Sequence, residues 1–202
     1  MPAAERLDLG TRIDRHLIEL LLAGMAPHPA EAKTVTSCSI NLSAGTMQDE
    51  GFAAFLQKRL SNSSFPAGKI VFEITETSAL LDLAHAQALI VRLRQIGCRF
   101  ALDDFGTGFC SFQYLQNLDV DTFKIDGSFV RDLETSQLSR AVIRSITDIA
   151  RVLDKTTTAE HCESLNLIDL LSELGVDRVQ GFAIHKPQPI AAYFSRQSHS
   201  VD

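Results

Sequence analysis

Little in this chain suits a polyanionic partner. Lysine and arginine number 19 against 25 acidic residues, the net charge is −6, and the basic residues are scattered rather than clustered. A nucleic-acid duplex or an anionic membrane is therefore a poor match for a main partner, while a small phosphate ligand stays accessible through a metal. No stretch comes near the roughly 20 apolar residues that a membrane span needs. The opening Met1-Pro2-Ala3-Ala4-Glu5-Arg6 lacks the basic-then-apolar order of a signal peptide. The 4 cysteines, Cys38, Cys98, Cys110 and Cys162, are far apart and form no C-x-x-C pair, which reads as reduced thiols in a cytoplasmic protein. Internal repeats, low-complexity tracts and an interdomain linker are also missing. Gly106 and Gly108 read as turn glycines, because no glycine-rich strand-to-helix signature surrounds them.

What is present is an ordinary globular balance, 45% hydrophobic and 22% charged over 202 residues, enough for one sizeable core and one domain. Apolar spacing predicts helices at 13–22, 47–60, 79–96, 136–153 and 165–174. Extended runs are predicted at Val35–Leu42, Ile70–Ile74, Phe100–Asp103, Thr122–Ile125, Thr156–Ala159 and Arg178–Phe182. Alternating strands and helices imply right-handed crossovers and a parallel sheet. A TIM-like (β/α)8 barrel is favoured over an open doubly wound sheet, because polar residues recur at the carboxyl ends of nearly every strand. Only six strands are legible where eight are wanted. Either two escape notice or the chain starts inside the barrel.

The strand ends carry Asn41, Glu73, Asp103 with Asp104, Lys124 with Asp126, Glu160 and Gln180. Adjacent strand side chains point to opposite faces, so the neighbouring Asp103 and Asp104 are costly unless a cation, a lysine or water sits between them. Oxygen-only donors suit magnesium or manganese better than zinc. His161-Cys162 makes a poor zinc site, since no further His or Cys partners it. Each residue also has a bland reading. The aspartate pair could cap a solvated turn, Lys124 could pair with Asp126, Asn41 could hold a turn, and Gln180 could satisfy a backbone group. Glu76 and Glu163 could sit at helix starts, where carboxylates are favoured anyway.

Taken in order, the pieces Ile40-Asn41-Leu42-Ser43, Phe72-Glu73-Ile74-Thr75-Glu76-Thr77, Asp103-Asp104-Phe105-Gly106-Thr107-Gly108, Phe123-Lys124-Ile125-Asp126, Ala159-Glu160, Glu163 and Gln180-Gly181-Phe182 form an ordered set. That set resembles the bacterial EAL domains, which hydrolyse the second messenger cyclic di-GMP to linear pGpG. The resemblance implies a metal-dependent phosphodiesterase with a two-metal Mg2+ or Mn2+ site. Asn41, Glu73 and Asp103 would hold one ion and Asp103, Asp104 and Glu160 the other. It also implies that Lys124 orients the attacking water, that Glu76 anchors the loop after Asp104, that Glu163 supports the site, and that Gln180 lies near the phosphate. Divalent cations lower the pKa of water and offset charge growing at phosphorus.

The chain departs from the family at its start, where the Glu-Ala-Leu motif that supplies a metal-ligand glutamate is missing. Together with the strand count, this predicts an amino-terminally truncated EAL-like domain over 1–196, with a tail at 197–202. Impaired activity is the corresponding expectation. The alternative is a catalytically inactive receptor for cyclic di-GMP or a protein-interaction module. Family members often dimerise and often follow sensory or GGDEF domains. Smaller departures are His161-Cys162 in place of Gly-Val, and Phe109-Cys110-Ser111-Phe112 in place of Tyr-Ser-Ser-Leu.

Overall fold

The structure is a computed structural model that describes residues 9–108 and 112–195. Its six strands are β1 (Cys38–Asn41), β2 (Ile70–Thr75), β3 (Arg99–Phe105), β4 (Thr122–Ile125), β5 (Thr156–Ala159) and β6 (Arg178–Val179), and their order in the sheet is their order in the chain. Helices separate them, as the alternation in sequence requires. The chain divides into two compact units, one of residues 9–73, 84–99 and 187–195, the other of 74–83 and 100–186.

In the first unit, β1 runs parallel to β2 with Ile40 opposite Phe72 and Asn41 opposite Glu73. Phe72 is fully buried and meets Phe52 edge to face at 6.1 Å. Helix Gly10–Met25 turns Gly10, Asp14, Ile18, Leu22 and Met25 inward, a ladder of near-perfect fourfold spacing. Burying each Phe, Leu or Ile of this kind contributes about 1.5–3 kcal/mol against leaving it in water.

In the second unit, β3, β4, β5 and β6 are parallel neighbours in that order. Phe105 stacks on Phe123 at 4.7 Å. Helix Gln137–Val152 starts where the Ser136 hydroxyl accepts the Ser139 N–H at 3.1 Å, and it buries Ile143, Ile146 and Ala150. Two aspartates tie down the amino ends of the strands. Asp121 Oδ2 accepts the Phe100 N–H at 2.8 Å, and Asp177 Oδ2 accepts the N–H and hydroxyl of Thr157 at 2.7 and 2.9 Å. The carboxyl ends are thereby left for chemistry.

The predicted 47–60 helix divides into Ala44–Met47 and Phe52–Ser61, because the Asp49 carboxylate turns the chain by accepting the Gly51 N–H at 2.9 Å. The 79–96 helix divides at Asp82, whose φ of −144° is not helical. The last strand stops at Val179 instead of reaching Phe182. Gly181 lies so close to the backbone of Cys162 that a Cβ there would sit 2.2 Å from the Cys162 carbonyl oxygen. The predicted tail at 197–202 lies outside the described residues, as do Phe109, Cys110 and Ser111. Cys38, Cys98 and Cys162 are free thiols. No helix among the described residues is long and apolar enough to cross a membrane.

Candidate metal centre

The site begins with a register slip. Leu102 pairs with Phe123 and Phe105 with Ile125, so β3 uses one more residue than β4 over the same span. The extra residue falls at Asp103-Asp104, and Asp104 takes a left-handed backbone with φ of 54°. A regular strand would send the two carboxylates to opposite faces. The bulge instead lets both approach Glu160, which follows β5. One carboxylate oxygen from each of Asp103, Asp104 and Glu160 lies within 4.8 Å of the others.

Lys124 on β4 sits among them, 4% exposed, with Nζ 2.9 Å from Asp103 Oδ1 and 2.7 Å from Glu160 Oε1. Asp103 Oδ1 is buried and takes this ion pair, with no hydrogen bond of good geometry among the described residues. Burial pushes the Asp104 carboxyl up from its ordinary value, and the charges of Asp103 and Asp126 push the same way, against Lys124 and His161. Burial would also raise Asp126. Its hydrogen bonds from Ser128, with smaller contributions from Arg131 and Gly127, outweigh this and hold it below the ordinary value. Asp126 is therefore the cap of helix Gly127–Arg131, accepting the Ser128 N–H at 2.9 Å, and Lys124 turns to Asp103 and Glu160 instead.

Glu76 is wholly buried at the start of helix Glu76–Leu81. Its Oε2 accepts the Gly106 N–H at 3.0 Å, and a Cβ at Gly108 would come within 2.7 Å of Oε1. Gly106 has φ of 99°, open to glycine and strained for other residues. The loop that follows the aspartates is thus moulded around one buried carboxylate.

Asn41 and Glu73 face each other across β1 and β2 in the first unit, Glu73 buried and Asn41 exposed. The Leu42 N–H bonds to the Glu73 carbonyl at 2.8 Å. Gln180 is exposed just past β6, with its N–H on the Ala159 carbonyl at 2.8 Å and its own carbonyl accepting the Cys162 N–H at 3.0 Å. Glu163 is exposed three residues beyond Glu160. His161, in a left-handed backbone with φ of 54°, packs its ring so close to Gly127 that a Cβ there would lie 2.6 Å from Nδ1. Buried Cys162 gives its thiol to the Ser164 carbonyl at 3.2 Å.

Two features of the site were not read from the sequence. The bulge has no residue-type signature beyond the paired aspartates. Asp14, wholly buried against Ser43 and Thr46, did carry a signal, since it is the one charge on an otherwise apolar fourfold ladder.

The donor set is oxygen-only and partly desolvated, and a buried carboxylate oxygen lacks a hydrogen bond. It fits a hard divalent cation. A family model for the EAL domain matches residues 1–187. This chain belongs to the EAL domain family. The EAL chain is 38% identical over 191 residues to the cyclic di-GMP phosphodiesterase PdeB of Shewanella oneidensis, covering 95% of this chain and 22% of that protein. It is 34% identical to the cyclic di-GMP phosphodiesterase PdeF of Escherichia coli, covering 94% of this chain and 25% of that protein. It therefore spans about a quarter of the length of these curated relatives. A solved phosphodiesterase in complex with c-di-GMP, PaMucR, superposes with a TM-score of 0.88 at 26% identity, covering 95% of this chain and 78% of that one. The α/β architecture is that of the TIM-like EAL domains.

Proposed function

We propose that this chain is a metal-dependent phosphodiesterase domain that hydrolyses cyclic di-GMP to linear pGpG in bacterial second-messenger signalling. The observation that carries the reading is the partly desolvated cluster of Asp103, Asp104 and Glu160, with Lys124 held between Asp103 and Glu160, in a chain similar to curated proteins named cyclic di-GMP phosphodiesterases. In the reaction the oxygen of water forms a bond to phosphorus, and the 3′ oxygen of one ribose leaves and takes a proton. One phosphodiester opens, and the product ends in a 5′ phosphate.

Asp103, Asp104 and Glu160 would hold one Mg2+ or Mn2+ ion. Asn41 and Glu73 are assigned to the other ion, a role that rests on the family resemblance. Bound there, the ions supply Lewis acidity and lower the pKa of water. Lys124 is assigned to orient the water. Its placement supports this, since it is buried and held by two carboxylates. Glu76 holds the loop after Asp104 in shape, and Gln180, just past β6, and Glu163, four residues past β5, are assigned phosphate-side and supporting roles on the family resemblance. The free thiols support a cytoplasmic location.

The test is incubation with cyclic di-GMP and Mn2+ or Mg2+. Formation of pGpG that is lost with EDTA and on Glu73→Ala or Asp103→Asn is the expected result. Tight nucleotide binding without product would overturn hydrolysis in favour of a receptor.

A further inference from the structure

Helix Gly10–Met25 packs beside β1, and its hold on Ser43, two residues past the strand, is built from two residues one turn apart. Gly10 has no Cβ; one placed there would lie 2.5 Å from Ser43 Oγ and 2.7 Å from Ser43 Cβ, so no larger residue admits this approach. Asp14 is 1% exposed, and its Oδ2 alone receives the Ser43 N–H at 2.8 Å, the Ser43 hydroxyl at 2.8 Å and the Thr46 hydroxyl at 2.5 Å.

A buried carboxylate costs several kcal/mol unless its lone pairs are filled, so three donors converging on one oxygen make this a specific dock and not an accident of packing. Ser43 would ordinarily cap helix Ala44–Met47 through its own hydroxyl, but no such cap bond forms, because the hydroxyl is turned to Asp14. The consecutive amides after Asn41 are therefore tied on two sides. Leu42 bonds to the Glu73 carbonyl in the sheet, and Ser43 bonds to Asp14 in the helix.

We infer that Asp14, seated by Gly10, is a positioning residue for Asn41. It fixes the strand end so that the Asn41 amide stands opposite Glu73 for a divalent cation. The inference rests on the metal reading above and extends it to a residue that touches neither the cation nor the substrate.

Calorimetric titration with Mn2+ alone tests it on the parent chain, on Asp14→Asn, Gly10→Ala and Asn41→Ala, and on each of the first two combined with Asn41→Ala. Thermal midpoints followed by circular dichroism show that each protein is folded. Losing an outer hydrogen-bond partner of a ligand costs roughly 10-fold in metal affinity. A loss of that order is expected for Asp14→Asn and Gly10→Ala when Asn41 is present, shrinking to less than about 2-fold once Asn41 is gone, as coupled sites require. Should Asp14→Asn fail to fold, Gly10→Ala makes the same perturbation without changing charge.

Unchanged Mn2+ affinity in the folded variants, or an equal loss with and without Asn41, overturns the inference while leaving the metal site standing. A parent chain that binds no Mn2+ overturns the metal reading itself.

Discussion

Lys124 keeps its charge in a place with almost no water by sitting between Asp103 and Glu160. Removing it leaves two buried carboxylates facing one another, and breaking a buried pair of this kind costs about 3 kcal/mol. Lys124→Met in EDTA should lose stability of that order in urea unfolding, and Mn2+ should recover much of it by taking over the role of counter-ion. Recovery equal to that of the parent would show that Lys124 does not offset the same carboxylates. Asp104 makes a pH prediction. Its folded pKa is raised, chiefly by burial, so the folded state holds the proton more tightly than the unfolded chain. The resulting stability is complete below the ordinary carboxyl range and is lost as pH rises through the folded value. In metal-free protein, Asp104→Asn should therefore raise the thermal midpoint at pH 7 and leave it little changed at pH 3. Among the thiols, burial pushes Cys98 up to about 12. It should resist alkylation at pH 8 in native protein and react on unfolding.

At the scale of the element, the bulge in β3 creates the site. Asp104 occupies a left-handed backbone, which an aspartate tolerates and an alanine adopts at a cost of about 1 kcal/mol relative to glycine. With the carboxylate removed in both, Asp104→Gly should be more stable than Asp104→Ala by that amount. Equal midpoints would mean that the bulge relaxes freely. Gly181 is the corresponding device between β5 and β6. Gly181→Ala drives a Cβ to 2.2 Å from the Cys162 carbonyl and should destabilise by about 1–3 kcal/mol, measured by urea unfolding.

These two places also show where sequence reading stopped. β4 and β5 were legible to the residue, because Thr122–Ile125 and Thr156–Ala159 are short apolar or β-branched runs between turn residues. Asp103 and Asp104 were legible as residues. The slip that turns both toward Glu160 was not, because a bulge depends on the pairing with β4 and leaves no periodicity of its own. The helix breaks at Asp49 and Asp82 were missed for a related reason. Each is a local turn inside a pattern that remains apolar at helical spacing.

For the whole molecule, a cation that binds only the folded chain must stabilise it, by about 2.7 kcal/mol at a free concentration 100 times the dissociation constant. Mn2+ should accordingly raise the thermal midpoint of the parent and not of Asp103→Asn. An equal rise in both would place the ion elsewhere.

Strand and helix order, the parallel sheet, the oxygen-only donor set and membership of the EAL family all lay in the sequence. They depend on apolar spacing and residue chemistry, which neighbours along the chain express. Tertiary structure decided the rest: that Lys124 pairs with Asp103 and Glu160 while Asp126 caps a helix, that Glu76 moulds the loop of Gly106, and that Asp14 grips Ser43. Those are choices among several charged partners separated by tens of residues. Distance and desolvation in the folded chain select among them, and neither quantity exists in a one-dimensional pattern.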